Sequence, residues 1–291
     1  MTDRVGDRAA SQTARMVAAF RGRARAAYGD ICDDPWAAAL AGTDGEGLAD
    51  RYLAVFPNMV IYMAVRTGFI DGLLRTYCRG DLAIEQVVVL GAGLDSRAAR
   101  LRLPRPRFFE VDHPSSQNDK MARLRTIAGY PVDAATFVSC DFEHQDFLVR
   151  LEEHGFRRDR PAFFVWEGVT YYLSEDAVVA TLEKVARETH PGSLLVFDYV
   201  RKKLVAGEAR HERTAQMREM VAGLGEPLRF GTDDPLPLLY AAGFRYVRTT
   251  TFDEACLLLT GTYERSRELR FQGLALASCT VPSTEPAATR D

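Results

Sequence analysis

Two glycines follow directly after an aliphatic run and would let the backbone approach a ligand closely. Residues 87–90 lead into Gly91-Ala92-Gly93, and glycine has no Cβ to keep a bound molecule away. A tight strand-to-helix turn is the alternative interpretation of this pair. A nicotinamide dinucleotide site requires a third glycine where Ser96 stands. A cofactor without a pyrophosphate, such as S-adenosylmethionine, fits the shorter pattern better.

A carboxylate marks the end of the next predicted strand. Asp112 lies 21 residues after Gly91, and an acid at this place can accept hydrogen bonds from both hydroxyls of a ribose. Its alternative role is to cap a helix that Pro114 would open. Glu110 points to the same side of the strand but lies deeper, so we expect it to support the structure.

Polar and aromatic residues also follow the third and fourth predicted strands. Asp141 could accept a hydrogen bond from the amino group of an adenine, and Phe142 could cover the base; a loop acid and a core phenylalanine are the alternative. The fourth strand runs into Glu167, which Tyr171 and Tyr172 follow closely. Ligands bind at the carboxyl ends of strands in open α/β sheets. The sequence therefore predicts a ligand site built from several strand ends.

The elements that must position these residues alternate between strands and helices. Five predicted strands are separated by helical stretches and occupy residues 86–90, 107–111, 136–140, 162–166 and 193–200. Such alternation is typical of a doubly wound, mostly parallel sheet. Residues 245–252 and 269–278 resemble a final antiparallel pair, whereas a dehydrogenase domain would end in a sixth parallel strand. We therefore predict an α/β, Rossmann-like sheet of seven strands whose last strand is antiparallel.

The two ends of the chain differ from this alternating part. Residues 9–77 have apolar residues at helical spacing, interrupted at 33–35 and around 42–47. We expect residues 1–80 to form a helical lid and residues 81–280 to form the sheet domain. Residues 281–291 are rich in Pro, Thr and Ala, which predicts a disordered tail.

Composition restricts the classes of partner and compartment. The chain has 291 residues and a net charge of −3, so no overall basic field favours nucleic acid. Its five cysteines are scattered without a C-x-x-C pair, which favours a reducing compartment. Neither a signal peptide nor a membrane span is predicted, so we expect a cytoplasmic protein. Its five histidines lack metal-ligand spacing, so we expect no metal; the oligomeric state stays open.

Five segments resemble the leucine carboxyl methyltransferase family, including its bacterial small-molecule branch, and occur in the family's order. They are RTGFID at 66–71, VVLGAGLDSR at 88–97, FEVDHP at 109–114, CDF at 140–142 and EGVTYYL at 167–173. The resemblance extends over about residues 15–278. It implies a class I fold and S-adenosylmethionine as cofactor. At Gly68, relatives commonly carry a larger or charged residue.

The resemblance also implies a role for each matching residue. Arg66 would bind the methionine carboxylate and Glu167 would face the amino group, because a guanidinium matches a carboxylate and an acid complements an ammonium. The remaining implied contacts are Gly91 and Gly93 beneath the cofactor, Asp112 at the ribose, and Asp141 with Phe142 at the adenine.

The family's chemistry leaves the acceptor open. The resemblance implies O-methylation, and the bacterial branch methylates carboxyl groups of specialised metabolites such as polyketides. A carboxylate needs no general base, whereas a hydroxyl usually does. Tyr171 and Tyr172 are candidates for shaping the acceptor pocket, and His211 is the candidate base. The alternatives are a protein's C-terminal leucine, a nitrogen or carbon acceptor, cofactor binding without catalysis, and a nicotinamide oxidoreductase.

Overall fold

The computed structural model describes most of the predicted sheet and its helices. It covers residues 11–79, 84–142, 144–208, 212–263 and 269–282. His211 and most of the predicted tail, residues 283–291, lie outside this part of the chain. Their predicted roles are therefore not tested.

A seven-stranded sheet forms the centre of the molecule, with strand order β3-β2-β1-β4-β5-β7-β6. The strands are β1 Gln86–Leu90, β2 Arg107–Asp112, β3 Ala135–Ser139, β4 Ala162–Trp166, β5 Leu194–Val200, β6 Tyr246–Thr251 and β7 Gln272–Ser278. Strands β1 to β5 pair in parallel, and β7 is antiparallel to both β5 and β6. The predicted seven strands and antiparallel last strand are confirmed.

Helices cover both faces of this sheet. The α-helices are α1 Gln12–Ala27, α2 Ala37–Val55, α3 Met59–Arg79, α4 Arg97–Leu101, α5 Pro114–Leu124, α6 Phe147–Glu153, α7 Glu175–Glu188, α8 Lys202–Val205, α9 Glu212–Gly223, α10 Leu236–Ala242 and α11 Phe252–Thr260. Short 3-10 helices span Val132–Ala134 and Thr170–Tyr172.

The sheet separates two apolar cores because successive strand residues point to opposite faces. Val87 and Val89 of β1 join the core formed with α1, α2 and α3, while Val88 and Leu90 join the core formed with α6, α7 and α10. All five residues of β1 are buried, as expected for a central strand covered on both faces. The N-terminal helices therefore share a core with the sheet.

The N-terminal helices differ in one detail from the prediction. The predicted interruption at 33–35 is confirmed, since α1 ends at Ala27 and α2 begins at Ala37. The predicted interruption around 42–47 is confirmed at Gly42, whose φ of +64° and ψ of −176° are not helical. Two helical segments therefore meet at a kink inside α2, because glycine accommodates a conformation that other residues adopt at a cost. The break between α2 and α3 falls at Pro57-Asn58 and was not predicted, although a proline inside a helical pattern usually ends the helix.

Helix α3 packs so closely on the loop between α1 and α2 that Gly68 has no room for a side chain. A Cβ at this position would lie 2.6 Å from Cγ2 and 2.7 Å from the backbone oxygen of Ile31. This contact explains why the chain carries glycine where larger residues are common. No single helix within the described residues is long and apolar enough to cross a membrane; α2 and α3 pass that test only together, across a bend of 113°.

Candidate active site

A cavity of about 200 Å³ lies at the carboxyl ends of strands β1 to β4. All seven residues predicted to bind the cofactor line it, as do Tyr171 and Tyr172. The seven are Arg66, Gly91, Gly93, Asp112, Asp141, Phe142 and Glu167. The fold thus brings together residues that are up to 101 positions apart in the sequence, while their individual contacts to a cofactor stay predictions.

The glycine turn after β1 is shaped for close approach of a ligand. Gly91 and Gly93 have φ values of +66° and +49°, which favour glycine. A Cβ on Gly91 would lie 2.6 Å from Cγ2 of Val169, and one on Gly93 would lie 3.1 Å from Cβ of Ala14. Side chains at these two positions would therefore collide with the cavity walls or fill the cavity floor.

Asp112 ties this turn to the end of β2. Its carboxylate accepts hydrogen bonds from the backbone N–H of Gly93 and, at 2.6 Å, of His113. Burial raises the pKa of Asp112, and the two backbone donors oppose that rise. Asp112 does not cap helix α5. The cap is His113, whose side chain accepts a hydrogen bond from the backbone N–H of Ser115.

Asp141 and Phe142 lie just beyond β3 on a more exposed wall. The Asp141 carboxylate is 2.9 Å from Nδ1 of His144. The Phe142 ring packs against Phe147 with ring centroids 5.9 Å apart. Because His144 is largely exposed, Asp141 is held less firmly than Asp112.

Arg66 and Glu167 form the buried end of the cavity. Arg66 Nε donates to Glu167 Oε1 at 2.7 Å, and its Nη1 donates to Asp198 Oδ2 at 3.1 Å. Arg97 Nη2 forms an ion pair with the second Glu167 oxygen at 2.6 Å. Burial alone would raise the pKa of Glu167, but Arg97 and Arg66 hold it below its usual value. The carboxylate is therefore ionised and fixed in position.

Arg66 already has protein partners on each of its nitrogens. Besides the two acids, its Nη1 lies within hydrogen-bond distance of the hydroxyls of Tyr62 and Tyr171, and its Nη2 is 3.5 Å from the Met63 sulfur. A ligand carboxylate bound by Arg66 would share the guanidinium with these groups.

A second set of buried ion pairs links the N-terminal helices to the loop after β1. Arg97 bonds to Asp71 of α3 at 2.8 Å and to Asp95, and Arg21 of α1 bonds to Asp34 at 2.9 Å. Ser96 donates to the same Asp34 at 2.7 Å. Buried charges must be paired to be tolerated, so these contacts fix the orientation of the helices on the sheet.

Helix α1 supplies a wall of the cavity that the sequence patterns did not reveal. Thr13, Ala14, Val17 and Arg21 all line it. Arg21 donates to the backbone oxygen of Leu94, beside the glycine turn. Arg21 follows a run of apolar residues in a helix, where an unpaired charge would be costly. This position could have indicated that Arg21 has a buried partner.

A smaller cavity of about 60 Å³ adjoins the first. Its lining is mostly apolar and includes four methionines from three helices, namely Met16, Met59, Met63 and Met217. The two cavities share a common wall, which we call the neck. The neck consists of Thr13, Val17, Arg66, Tyr171 and Tyr172.

The two tyrosines of the neck are poor candidates for a general base. Their rings pack edge to face with centroids 4.7 Å apart. Burial raises the pKa of both phenols well above the usual value, and Asp198 adds to the rise at Tyr171. Both hydroxyls therefore stay protonated at neutral pH and can only donate or accept hydrogen bonds. Among the described residues, the smaller cavity has no Asp, Glu or His in its lining.

Known proteins share this sequence pattern and architecture. A family model described as leucine carboxyl methyltransferase matches residues 14–186. A Mycolicibacterium gilvum protein with the provisional name S-adenosyl-L-methionine-dependent methyltransferase is 32% identical over 249 residues, 80% of this chain and 77% of that protein.

Across the described portion, no cluster of three or more His, Cys, Asp or Glu side chains is placed to hold a metal ion.

Two solved structures share the fold. A DUF574 family protein from Streptomyces avermitilis has a TM-score of 0.66 at 11% identity, with 93% of this chain and 98% of that chain covered. A provisionally named methyltransferase from Thermobifida fusca has a TM-score of 0.65 at 15% identity, with 94% and 97% covered. At these identities the likeness concerns the fold alone, and it confirms the predicted class.

Proposed function

Since the chain belongs to the leucine carboxyl methyltransferase family and is an S-adenosylmethionine-dependent methyltransferase, we propose that it methylates an oxygen of a small molecule. The observation that carries this proposal is the small, mostly apolar cavity that shares the neck with the cofactor cavity. Apolar walls with a few polar groups are typical of small-molecule sites. A specialised metabolite such as a polyketide acid has this chemical character.

The larger cavity has the chemical groups that the cofactor requires. Asp112 would hold the ribose hydroxyls, Asp141 and Phe142 the adenine, and Gly91 with Gly93 would form the floor. Arg66 and Glu167 would face the charged methionine end, and Arg21 adds a second cation on the same wall. When bound, S-adenosylmethionine supplies an electrophilic methyl group for in-line displacement.

A carboxylate acceptor fits the neck better than a hydroxyl. The described neck residues include one guanidinium and two protonated phenols, which can orient an anion but cannot remove a proton. An ionised carboxylate is already nucleophilic, whereas an alcohol or phenol would usually need a base. The chain's task is then to orient the acceptor oxygen and to exclude water.

Two binding and turnover measurements test this function. Calorimetric titration with S-adenosylhomocysteine, run beside NADH, should give binding of the former alone. Purified protein is then incubated with methyl-labelled S-adenosylmethionine and a panel of aromatic carboxylic acids, matched phenols and a peptide that ends in leucine. We expect label in the aromatic acids, in a form that mild alkali releases as methanol.

The outcomes separate the remaining alternatives. Label only in the peptide would support a protein C-terminal leucine as acceptor. Alkali-stable label would indicate an ether, amine or carbon product. Cofactor binding without transfer to any acceptor would contradict a methyltransferase acting on these acids. Asp112→Ala should abolish transfer, while the exposed Asp133→Ala serves as the matched control.

The unpaired thiols support a further part of the proposal. All five cysteines are free, and four of them are buried. Burial raises the pKa of the Cys32 thiol to about 11, so it is protected from oxidation by both its surroundings and its protonation. We therefore propose that the protein works in the cytoplasm.

A further inference from the structure

Thr13 occupies the point where the two cavities meet. It is the second residue of α1 and belongs to the neck. Its exposed fraction is only 7%. A bound acceptor that reaches from the apolar cavity towards the cofactor would have to pass this side chain.

The hydroxyl of Thr13 has no hydrogen-bond partner among the described residues, and its oxygen is buried. A buried hydroxyl left without a partner destabilises the fold. Valine has nearly the same shape and would avoid this cost. Packing alone therefore does not explain the hydroxyl.

Arg66 and Tyr171, two of the other polar residues of the neck, are already bonded within the protein. Arg66 is bonded to Glu167 and Asp198, and its Nη1 lies 3.3 Å from the Tyr171 hydroxyl. Thr13, by contrast, offers a hydroxyl whose proton is uncommitted within the described structure. A donor of this kind can turn towards a ligand without breaking a bond inside the protein.

We propose that the Thr13 hydroxyl donates a hydrogen bond to the carboxylate of the acceptor and thereby orients it for methyl transfer. This inference rests on the proposed function. Thr13 touches the acceptor but exchanges neither a proton nor an electron pair with it. The acceptor oxygen supplies the electron pair of the new C–O bond, and the sulfur keeps the pair of the C–S bond that breaks.

The chain offers a matched control for this residue. Thr67 of α3 is also fully buried with an unpartnered hydroxyl, but it lines neither cavity. Thr13→Val and Thr67→Val therefore remove the same group from similar surroundings and differ only in access to the neck. Thr13→Ser keeps the donor. Both valine variants should be at least as thermally stable as the wild type, because each loses an unsatisfied polar group.

The experiment compares the wild type with these three variants. The acceptor is 1-naphthoate, and the readouts are KM and kcat for ester formation and the Kd of S-adenosylhomocysteine. We expect Thr13→Val to lower kcat/KM by about 10-fold to 100-fold, mostly through KM, because a hydrogen bond to a charged group is lost. The cofactor Kd should stay within about twofold, and Thr67→Val and Thr13→Ser should stay near the wild type.

Three other outcomes would contradict the role of Thr13, and one of them would also contradict the proposed carboxylate acceptor. If the wild type methylates 1-naphthoate and a folded Thr13→Val retains its kcat/KM, the role of Thr13 is wrong while the proposed function stands. An equal loss in Thr67→Val would mean that the effect is structural and would overturn the role as well. If the wild type binds S-adenosylhomocysteine but forms no ester with 1-naphthoate or with any other acid of the panel, the carboxylate proposal is wrong, and so is the role of Thr13.

Discussion

The two adjoining cavities are built on different physical principles. The larger one is formed mainly by residues that follow strands β1 to β4, with one wall from α1, and its charged groups are held by ion pairs such as those of Glu167 with Arg66 and Arg97. The smaller one collects apolar side chains from α1, α2, α3, α8 and α9, from the end of β5 and from the Thr170–Tyr172 turn. One is fixed by directional bonds, and the other is shaped by the packing of helices.

This difference indicates which side of the site can change more easily. Buried ion pairs fix orientation, and losing one partner leaves a costly charge behind. Methionine side chains are flexible and tolerate substitution. A chain of this design can therefore alter its acceptor through the smaller cavity while its cofactor contacts stay the same.

The largest expected effect comes from breaking the ion pairs behind the larger cavity. Arg97→Met leaves Asp95, Asp71 and Glu167 without a shared cation, so we expect the free energy of unfolding to fall by about 3–5 kcal/mol. Urea denaturation measures it. Arg157→Met, which removes an exposed pair with Asp159, should change stability far less, because water screens such a pair. Equal losses would show that the buried ion pairs of Arg97 stabilise the fold no more than an exposed pair does.

Glu110 of β2, two residues before Asp112, should make the stability of the fold depend on pH. Burial raises the pKa of buried Glu110 to about 7, and Lys120 opposes that rise. The folded state then holds a proton that the unfolded chain loses near pH 4.5, so this contribution is complete below pH 4.5 and is lost as the pH rises towards 7. Between the two ends of this pH range, the contribution of Glu110 to the free energy of unfolding changes by about 3 kcal/mol.

Glu110→Gln tests whether Glu110 causes this slope, that is, the change in the free energy of unfolding with pH. Urea denaturation at several pH values between 5 and 8 should show a flatter dependence in the variant than in the wild type. Met217→Leu, in the smaller cavity, should leave the slope unchanged. A slope that persists in Glu110→Gln would assign the proton to another group.

Cofactor affinity should depend on the larger cavity alone. Asp112→Ala removes an acceptor for both ribose hydroxyls and releases the glycine turn, so we expect the Kd of S-adenosylhomocysteine to rise about 100-fold. Asp141→Ala should raise this Kd by only about 10-fold, because a single hydrogen bond to the adenine contributes less than the two hydrogen bonds to the ribose. Calorimetry measures both. Equal weakening would show that the two contacts are ranked wrongly.

The smallest expected effect lies in the smaller cavity. Val221→Ala enlarges it by two methyl groups, so the preference for a bulkier aromatic acid over 1-naphthoate should rise by about 10-fold in kcat/KM. The Kd of S-adenosylhomocysteine should not change. A parallel change in cofactor affinity would show that the two cavities are not independent.

The site residues that could be predicted from sequence are those that directly follow a strand, because the sheet then determines their position. Asp112 and Glu167 follow strands, and the carboxyl ends of parallel strands meet at one edge. Thr13 and Arg21 lie more than 60 residues before β1, and their place depends on how α1 packs. No short pattern records such packing, so these residues were missed, and of the smaller cavity only Arg66, Tyr171 and Tyr172 were predicted as site residues.

Helix α1 has a further consequence for the order of events during folding. It is made early in synthesis, yet Arg15 pairs with Asp119, 104 residues later, and Arg21 bonds to Leu94, 73 residues later. Contacts between distant parts of a chain form slowly, because the intervening loop must first close. Helix α1 therefore cannot complete these contacts until the chain through Asp119 has been synthesised, and this wall of the methyl-transfer site is completed only then.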